Sequence, residues 1–116
     1  MTLRECLDKL DAEVVIGEDQ LDASVHSVVA SDLLSDVLAT MKHDFLLITG
    51  LCTPQVVRTA ELMGGVGIVF CRNKYPQQEA IGMAKVHGIP VLCTRLGMFE
   101  ACCRLAGQGL ELPSDQ

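Results

Sequence analysis

Apolar residues in this chain fall into short runs separated by turn-forming residues, and the runs change character near residue 31. Thr2-Leu3-Arg4-Glu5 has the form of a capping box, with the Thr hydroxyl accepting from the amide three residues on and the Glu reaching back. A short helix to about Leu10 is expected. Residues 13–16 read as a short apolar strand, 17–23 as a polar turn and 25–30 as a second strand-like run. Ser31 and Asp32 are placed to cap a helix carrying Leu33, Leu34, Val37, Leu38 and Met41. Residues 45–49 are a continuous apolar run, the pattern of a strand buried on both faces. Gly50 turns the chain. Thr53-Pro54 reads as N-cap and first helical residue, because proline there gives up no needed hydrogen bond. That helix runs to about Met63 and stops at Gly64-Gly65. Residues 66–70 are the next buried strand, Pro76 opens a helix ending at Gly88, residues 89–92 are a further strand, and residues 97–107 hold the last helix. The tail, residues 111–116, is expected to fray.

Helix and strand alternate with short connections from residue 31 onward. That order predicts a layered α/β domain: a four-stranded parallel sheet flanked by helices, plus a short N-terminal helix and strand. The length of 116 residues fits a single domain over residues 1–116. No linker, low-complexity segment or internal repeat interrupts it.

Composition narrows the function classes. Hydrophobic residues make up 49% and charged residues 21%, so a packed core is expected; aromatics are only 3%, so that core is aliphatic. The net charge of −6 and the scarcity of stacking side chains argue against a nucleic-acid binder. No apolar run approaches a membrane span and no apolar stretch follows the N-terminal charges, so a cytoplasmic protein without membrane contact is expected. Cysteine occurs six times without a C-x-x-C pair, which removes the usual zinc-ribbon and thioredoxin signatures. A disulfide framework is not expected in that compartment.

In parallel α/β sheets, ligands bind beyond the carboxyl ends of the strands. The residues there are Ser31 and Asp32, then Thr49, Gly50, Cys52 and Thr53, then Cys71, Arg72, Asn73 and Lys74, then Cys93, Thr94 and Arg95. Arg72, Lys74 and Arg95 are three of nine basic residues in an acidic chain. With the exposed amides of the helix starting at Thr53, they form a candidate anion site. The bland reading is that they are solubilising loop charges. Cys52, Cys71 and Cys93 each fall at or past a strand end, where thiolates can hold a metal or form a redox pair. The bland reading there, small buried hydrophobes, is preferred, and no metal or cofactor is expected. Cys102 and Cys103 lie three and four residues after Phe99 and can share the core face of the last helix.

The remaining signals are weak. Gly64-Gly65-Val66-Gly67 precedes a strand, whereas a dinucleotide fingerprint must follow one, so it is read as a helix stop. His26, His43 and His87 are scattered. Asp32 and Asp36 lie one helical turn apart, as acids at helix starts commonly do. Nothing resembles a nucleophile beside a base, and an enzyme is not expected.

The segments 29–38, 47–51, 54–60 and 88–92, with Thr94 before the last helix, resemble the DRTGG-domain group. The resemblance extends from about Val14 to Leu110, and the chain is similar to the stand-alone members, which are sometimes encoded beside iron-only hydrogenase or electron-transfer genes in anaerobic bacteria. Related domains accompany phosphate acetyltransferases and CBS modules, and the N-terminal domain of HPr kinase is similar in fold. The resemblance implies a four-stranded parallel core, self-association and a regulatory role without an established reaction. Asp32 stands for the motif Asp and Thr49-Gly50 for its Thr-Gly; Leu51 replaces the second Gly, and no Arg aligns.

The expected function is a non-catalytic regulatory or sensor domain. It would bind a small anionic ligand, such as a nucleotide, through Ser31, Asp32, Thr49, Gly50, Thr53, Arg72, Lys74, Thr94 and Arg95. One alternative is a homo-oligomeric interaction module without a small ligand. The other is a redox- or metal-linked accessory protein using Cys52, Cys71 and Cys93. A homodimer is expected, and a hydrogenase-associated or electron-transfer protein is a candidate partner.

Overall fold

The computed structural model describes residues 1–40 and 42–110; Met41 and the tail at 111–116, both named above, lie outside the described residues. The elements are α1 (Leu3–Lys9), β1 (Glu13–Ile16), a 3-10 turn (Glu18–Gln20), β2 (Ser27–Ala30), α2 (Leu34–Ala39), β3 (Phe45–Thr49), α3 (Pro54–Leu62), β4 (Gly67–Phe70), α4 (Gln78–His87), β5 (Val91–Cys93) and α5 (Met98–Leu105). Among the described residues these strands form one sheet of five, in the order β1-β5-β4-β3-β2. β2, β3, β4 and β5 pair in parallel, and β1 joins the edge antiparallel to β5. The expected parallel core and N-terminal helix and strand are therefore present, with the N-terminal strand incorporated into a mixed sheet.

Alternation along the strands builds the two faces. Leu46, Ile48, Val69 and Leu92 pack beneath α1 and α5, with Leu3, Cys6, Leu10, Ala101 and Leu105. Phe45, Leu47, Ile68 and Phe70 point the other way, against Val37 of α2, Val56, Val57 and Ala60 of α3, and Ala80 and Ala84 of α4. All of Phe45–Thr49 is buried, as a central parallel strand covered by helices on both sides must be.

Several boundaries differ from the sequence pattern, each for a local reason. The run at 25–30 becomes a strand only from Ser27, because Val25 exchanges hydrogen bonds with the N-terminal Met1 instead of β3. The last strand starts at Val91, because Pro90 has no amide and the Ile89 amide closes the end of α4 on Ala84. Cys93 thus lies within β5 rather than beyond it. α4 begins at Gln78 rather than at Pro76, since the Gln77 amide is held extended on the Cys52 carbonyl. Ser31 and Asp32 do not cap α2. Leu33 is its N-cap residue, Ser31 Oγ accepts from the Leu33 amide at 3.0 Å, and the Asp32 carboxylate turns toward the end of β3. Cys103 is exposed rather than sharing the core face with Cys102.

Candidate functional site

The rim residues separate into two groups on either side of β4. On the β2–β3–β4 side, Asp32 follows β2, Thr49 and Gly50 close β3, and Arg72 follows β4. Adjacent parallel strands bring these ends together. Asp32 Oδ1 accepts from the Gly50 amide at 2.6 Å and from the Thr49 hydroxyl at 3.1 Å. The Thr49 hydroxyl accepts in turn from the Leu51 amide at 3.1 Å. Asp32 Oδ2 lies 3.8 Å from Arg72 Nη2, with both side chains about half exposed. That separation makes the pair a weak one, at about 0–1 kcal/mol. The short contact from the Gly50 amide is the charge-assisted bond that fixes the carboxylate.

Arg72 reaches this position through its backbone. Arg72 and Asn73 both have φ of +60°, and the Lys74 amide closes on the Cys71 carbonyl at 3.3 Å, a tight turn of mirror-image type. The Arg72 and Asn73 amides bond to Leu96 and Thr94 carbonyls, which locks the turn against the loop after β5. A left-handed conformation costs a non-glycine residue roughly 1–2 kcal/mol, and asparagine tolerates it best. The guanidinium crosses Gly50 so closely that a Cβ there would sit 2.6 Å from Nη2. Gly50 is thus required for close approach, of an arginine rather than of the chain itself.

Lys74 is exposed and stands within electrostatic reach of Cys52. Burial raises the Cys52 thiol; Lys74 draws it back down and Asp32 pushes it up. The Cys71 thiol is likewise raised, first by burial, with Arg72 opposing and Asp32 reinforcing. Thr53 is the N-cap residue of α3, and Ser31 orders the approach to α2.

On the β5 side, Arg95 pairs with Asp11 at 3.4 Å, both side chains more than 60% exposed. This lies beside a separate cleft of about 280 Å³ lined by Asp11, Glu13, Asn73, Cys93, Thr94 and Arg95. Thr94 is buried. Its hydroxyl donates to the Leu10 carbonyl at 2.7 Å and accepts from the Leu96 amide at 3.2 Å, so it ties α1 to the loop after β5. The structure brings Asp32, Thr49, Gly50 and Arg72 together. It turns the Arg95 side chain toward Asp11 and commits the Thr94 hydroxyl to the fold. Among the described residues no group of three or more His, Cys, Asp or Glu side chains is arranged to hold a metal ion, so Cys52, Cys71 and Cys93 do not form such a cluster.

The Arg72–Asp32 contact had no signal in local spacing, since 40 residues separate them. The hint available was a basic residue and an asparagine directly after a buried strand, where a turn with positive φ belongs. Asp32, Thr49 and Gly50, which lie in the segments 29–38 and 47–51 that carry the resemblance, form one hydrogen-bonded group.

The family model of the DRTGG domain matches residues 5–107. The chain belongs to the DRTGG-domain family. None of the curated proteins matches it. Among solved structures, the crystal structure of the CBS and DRTGG domains of the regulatory region of Clostridium perfringens pyrophosphatase, complexed with its activator diadenosine tetraphosphate, shares the fold. The TM-score is 0.70 at 23% identity, over 94% of this chain and 47% of that one. This DRTGG chain spans about half the length of the chain it matches. No helix among the described residues is long and apolar enough to cross a membrane.

Proposed function

We propose that this DRTGG domain is a non-catalytic regulatory module. It binds a small anionic ligand, a nucleotide in the first instance, at the rim formed by the ends of β2, β3 and β4. The observation that carries this reading is the convergence of the Gly50 amide, the Thr49 hydroxyl and the Arg72 guanidinium, with Lys74 close by. Those donors suit phosphate oxygens, and they lie beyond the carboxyl ends of the parallel strands, the end at which ligands bind in such sheets. The nucleotide activator carried by the pyrophosphatase regulatory region supports the choice of ligand class. Titration calorimetry with ATP and with diadenosine tetraphosphate tests the reading. Binding of either is expected, and Arg72→Ala should weaken it by about 1.5–3 kcal/mol, the worth of a hydrogen bond to a charged group. Absence of heat with both nucleotides, or equal binding by the variant, removes the rim as the site.

A second reading, self-association, is favoured by exposed apolar side chains on one helical layer: Leu33 and Leu38 at α2, Leu62 of α3 and Val86 of α4. A homodimer using that layer should scatter light as twice the chain mass at micromolar concentration, and a monomer there removes it.

A further inference from the structure

The anion position at this rim already holds an anion, and it belongs to the chain. The Gly50 amide and the Thr49 hydroxyl donate to Asp32 Oδ1 at 2.6 and 3.1 Å, and Arg72 Nη2 stands 3.8 Å from Oδ2. An amide, a hydroxyl and a guanidinium are the donors a phosphate oxygen needs, and the carboxylate is using them. A ligand that keeps clear of Asp32 finds the Gly50 amide occupied and a negative charge beside Arg72. At 43% exposure, Asp32 is open to exchange with an incoming anion.

Given the anion-site reading above, we propose that Asp32 is a resident competitor: a phosphate-bearing ligand binds by displacing its carboxylate. Displacement reaches α2 directly. Asp32 lies in the three-residue link from β2 to α2, between Ser31, whose Oγ accepts from the Leu33 amide, and Leu33, the N-cap residue. Leu33 supplies no side-chain cap among the described residues, and Val37 is the one buried residue of α2. The Asp32 hydrogen bonds to the end of β3, together with the Ser31 amide on the Ile48 carbonyl at 3.0 Å, hold the entrance of a lightly anchored helix. Release of Asp32 loosens that entrance, next to the exposed Leu33 and Leu38. Occupancy of the rim is thereby converted into a change at an outer helix, which is what a regulatory domain has to deliver.

Tripolyphosphate is the discriminating probe, since it carries the charge without base or sugar. Its Kd is measured by calorimetry at 0.15 M salt on the full chain and on Asp32→Asn and Asp36→Asn. Asp32→Asn keeps an acceptor for the Gly50 amide but not the charge, and should bind at least tenfold more tightly. Asp36→Asn removes the same charge from α2 without touching Gly50, and should change Kd by less than about twofold under this screening. An equal gain in both variants, or none in Asp32→Asn, overturns displacement and leaves the anion site standing. Binding of ATP without binding of tripolyphosphate does the same. Failure of all three proteins to bind either probe overturns both readings. A second measurement needs no variant: saturating the parent chain with tripolyphosphate should speed amide hydrogen exchange across residues 33–39. Unchanged or slower exchange there overturns the release of α2.

Discussion

Arg72 and Arg95 are alike in sequence, each a basic residue just past a strand, yet they turn to opposite sides. Arg72 crosses Gly50 toward Asp32, whereas Arg95 pairs with Asp11 in solvent. Sequence position fixes which end of a strand a residue follows, not which way its side chain turns, so both stood as equal candidates. Their variants should differ accordingly. Arg72→Ala should weaken ATP at least tenfold, while Arg95→Ala should change its Kd less than about twofold, because an exposed ion pair contributes about 0–1 kcal/mol at most. Parallel titrations decide it, and equal losses would place the ligand across both sides of β4. Gly50 gives a sharper test. A Cβ there would stand 2.6 Å from Arg72 Nη2 and 3.4 Å from Asp32 Oδ1, and Gly50 is not among the glycines with positive φ. The clash is with the far end of a flexible side chain. Gly50→Ala should therefore move the unfolding free energy by less than about 1 kcal/mol, since no core packing is lost, and still cost ATP binding severalfold by forcing the guanidinium aside. Thermal melts and calorimetry read the two effects separately.

At the level of elements, legibility follows from how local the physical cause is. The all-apolar run of β3 and the Thr53-Pro54 start of α3 were readable because burial and proline chemistry act on adjacent residues. The Thr2/Glu5 capping box forms as its spacing predicts, with the Glu5 amide donating to Thr2 Oγ1 and the Thr2 amide to Glu5. Thr2→Ala should cost about 1 kcal/mol in urea unfolding, the usual loss of a capped helix start; a change within error would mean that the packing of Leu3, Cys6 and Leu10 holds α1 without the cap. Elements whose place depends on distant partners were not readable. β1 finds β5 across most of the chain, antiparallel, and Asp32 leaves its helix because the Gly50 amide and Thr49 hydroxyl offer better donors than a six-residue helix start. Gly17 shows how tightly that far pairing is set. Its φ is +93°, and a Cβ would stand 2.7 Å from Pro90 Cα, a backbone atom. Gly17→Ala should destabilise by more than about 1–2 kcal/mol, the strain of a left-handed alanine, with the clash in addition. A melt within a degree of the parent would show that the β1–β5 edge yields.

Across the whole molecule, thiols raised by burial link stability to alkaline pH, Cys6 and Cys93 foremost. Cys6 is fully buried beneath the sheet with Leu3 and Leu10, and that burial raises its pKa from 9.0 to about 11, with the N-terminal charge opposing and Glu5 reinforcing. Cys93 in β5 is raised to about 11, first by burial, then by Cys52 and Glu13. A pKa higher in the folded chain means that the folded chain keeps its proton where the unfolded chain has lost it. The stabilisation is complete below pH 9.0, the unfolded value, and disappears as pH rises through about 11. Holding Cys6 at about 11 rather than 9.0 corresponds to a loss of up to about 3 kcal/mol across that window. The readout is the difference between the parent and Cys6→Ala, in which the contributions common to both cancel. The variant should be less stable at pH 8, because a buried side chain has been cut back. Its unfolding free energy should then fall less steeply between pH 9 and 11, so that the two curves converge. Parallel curves across that window would mean that the Cys6 thiol ionises as readily inside the fold as outside it, and that its place in the core has no part in the alkaline limit of this domain.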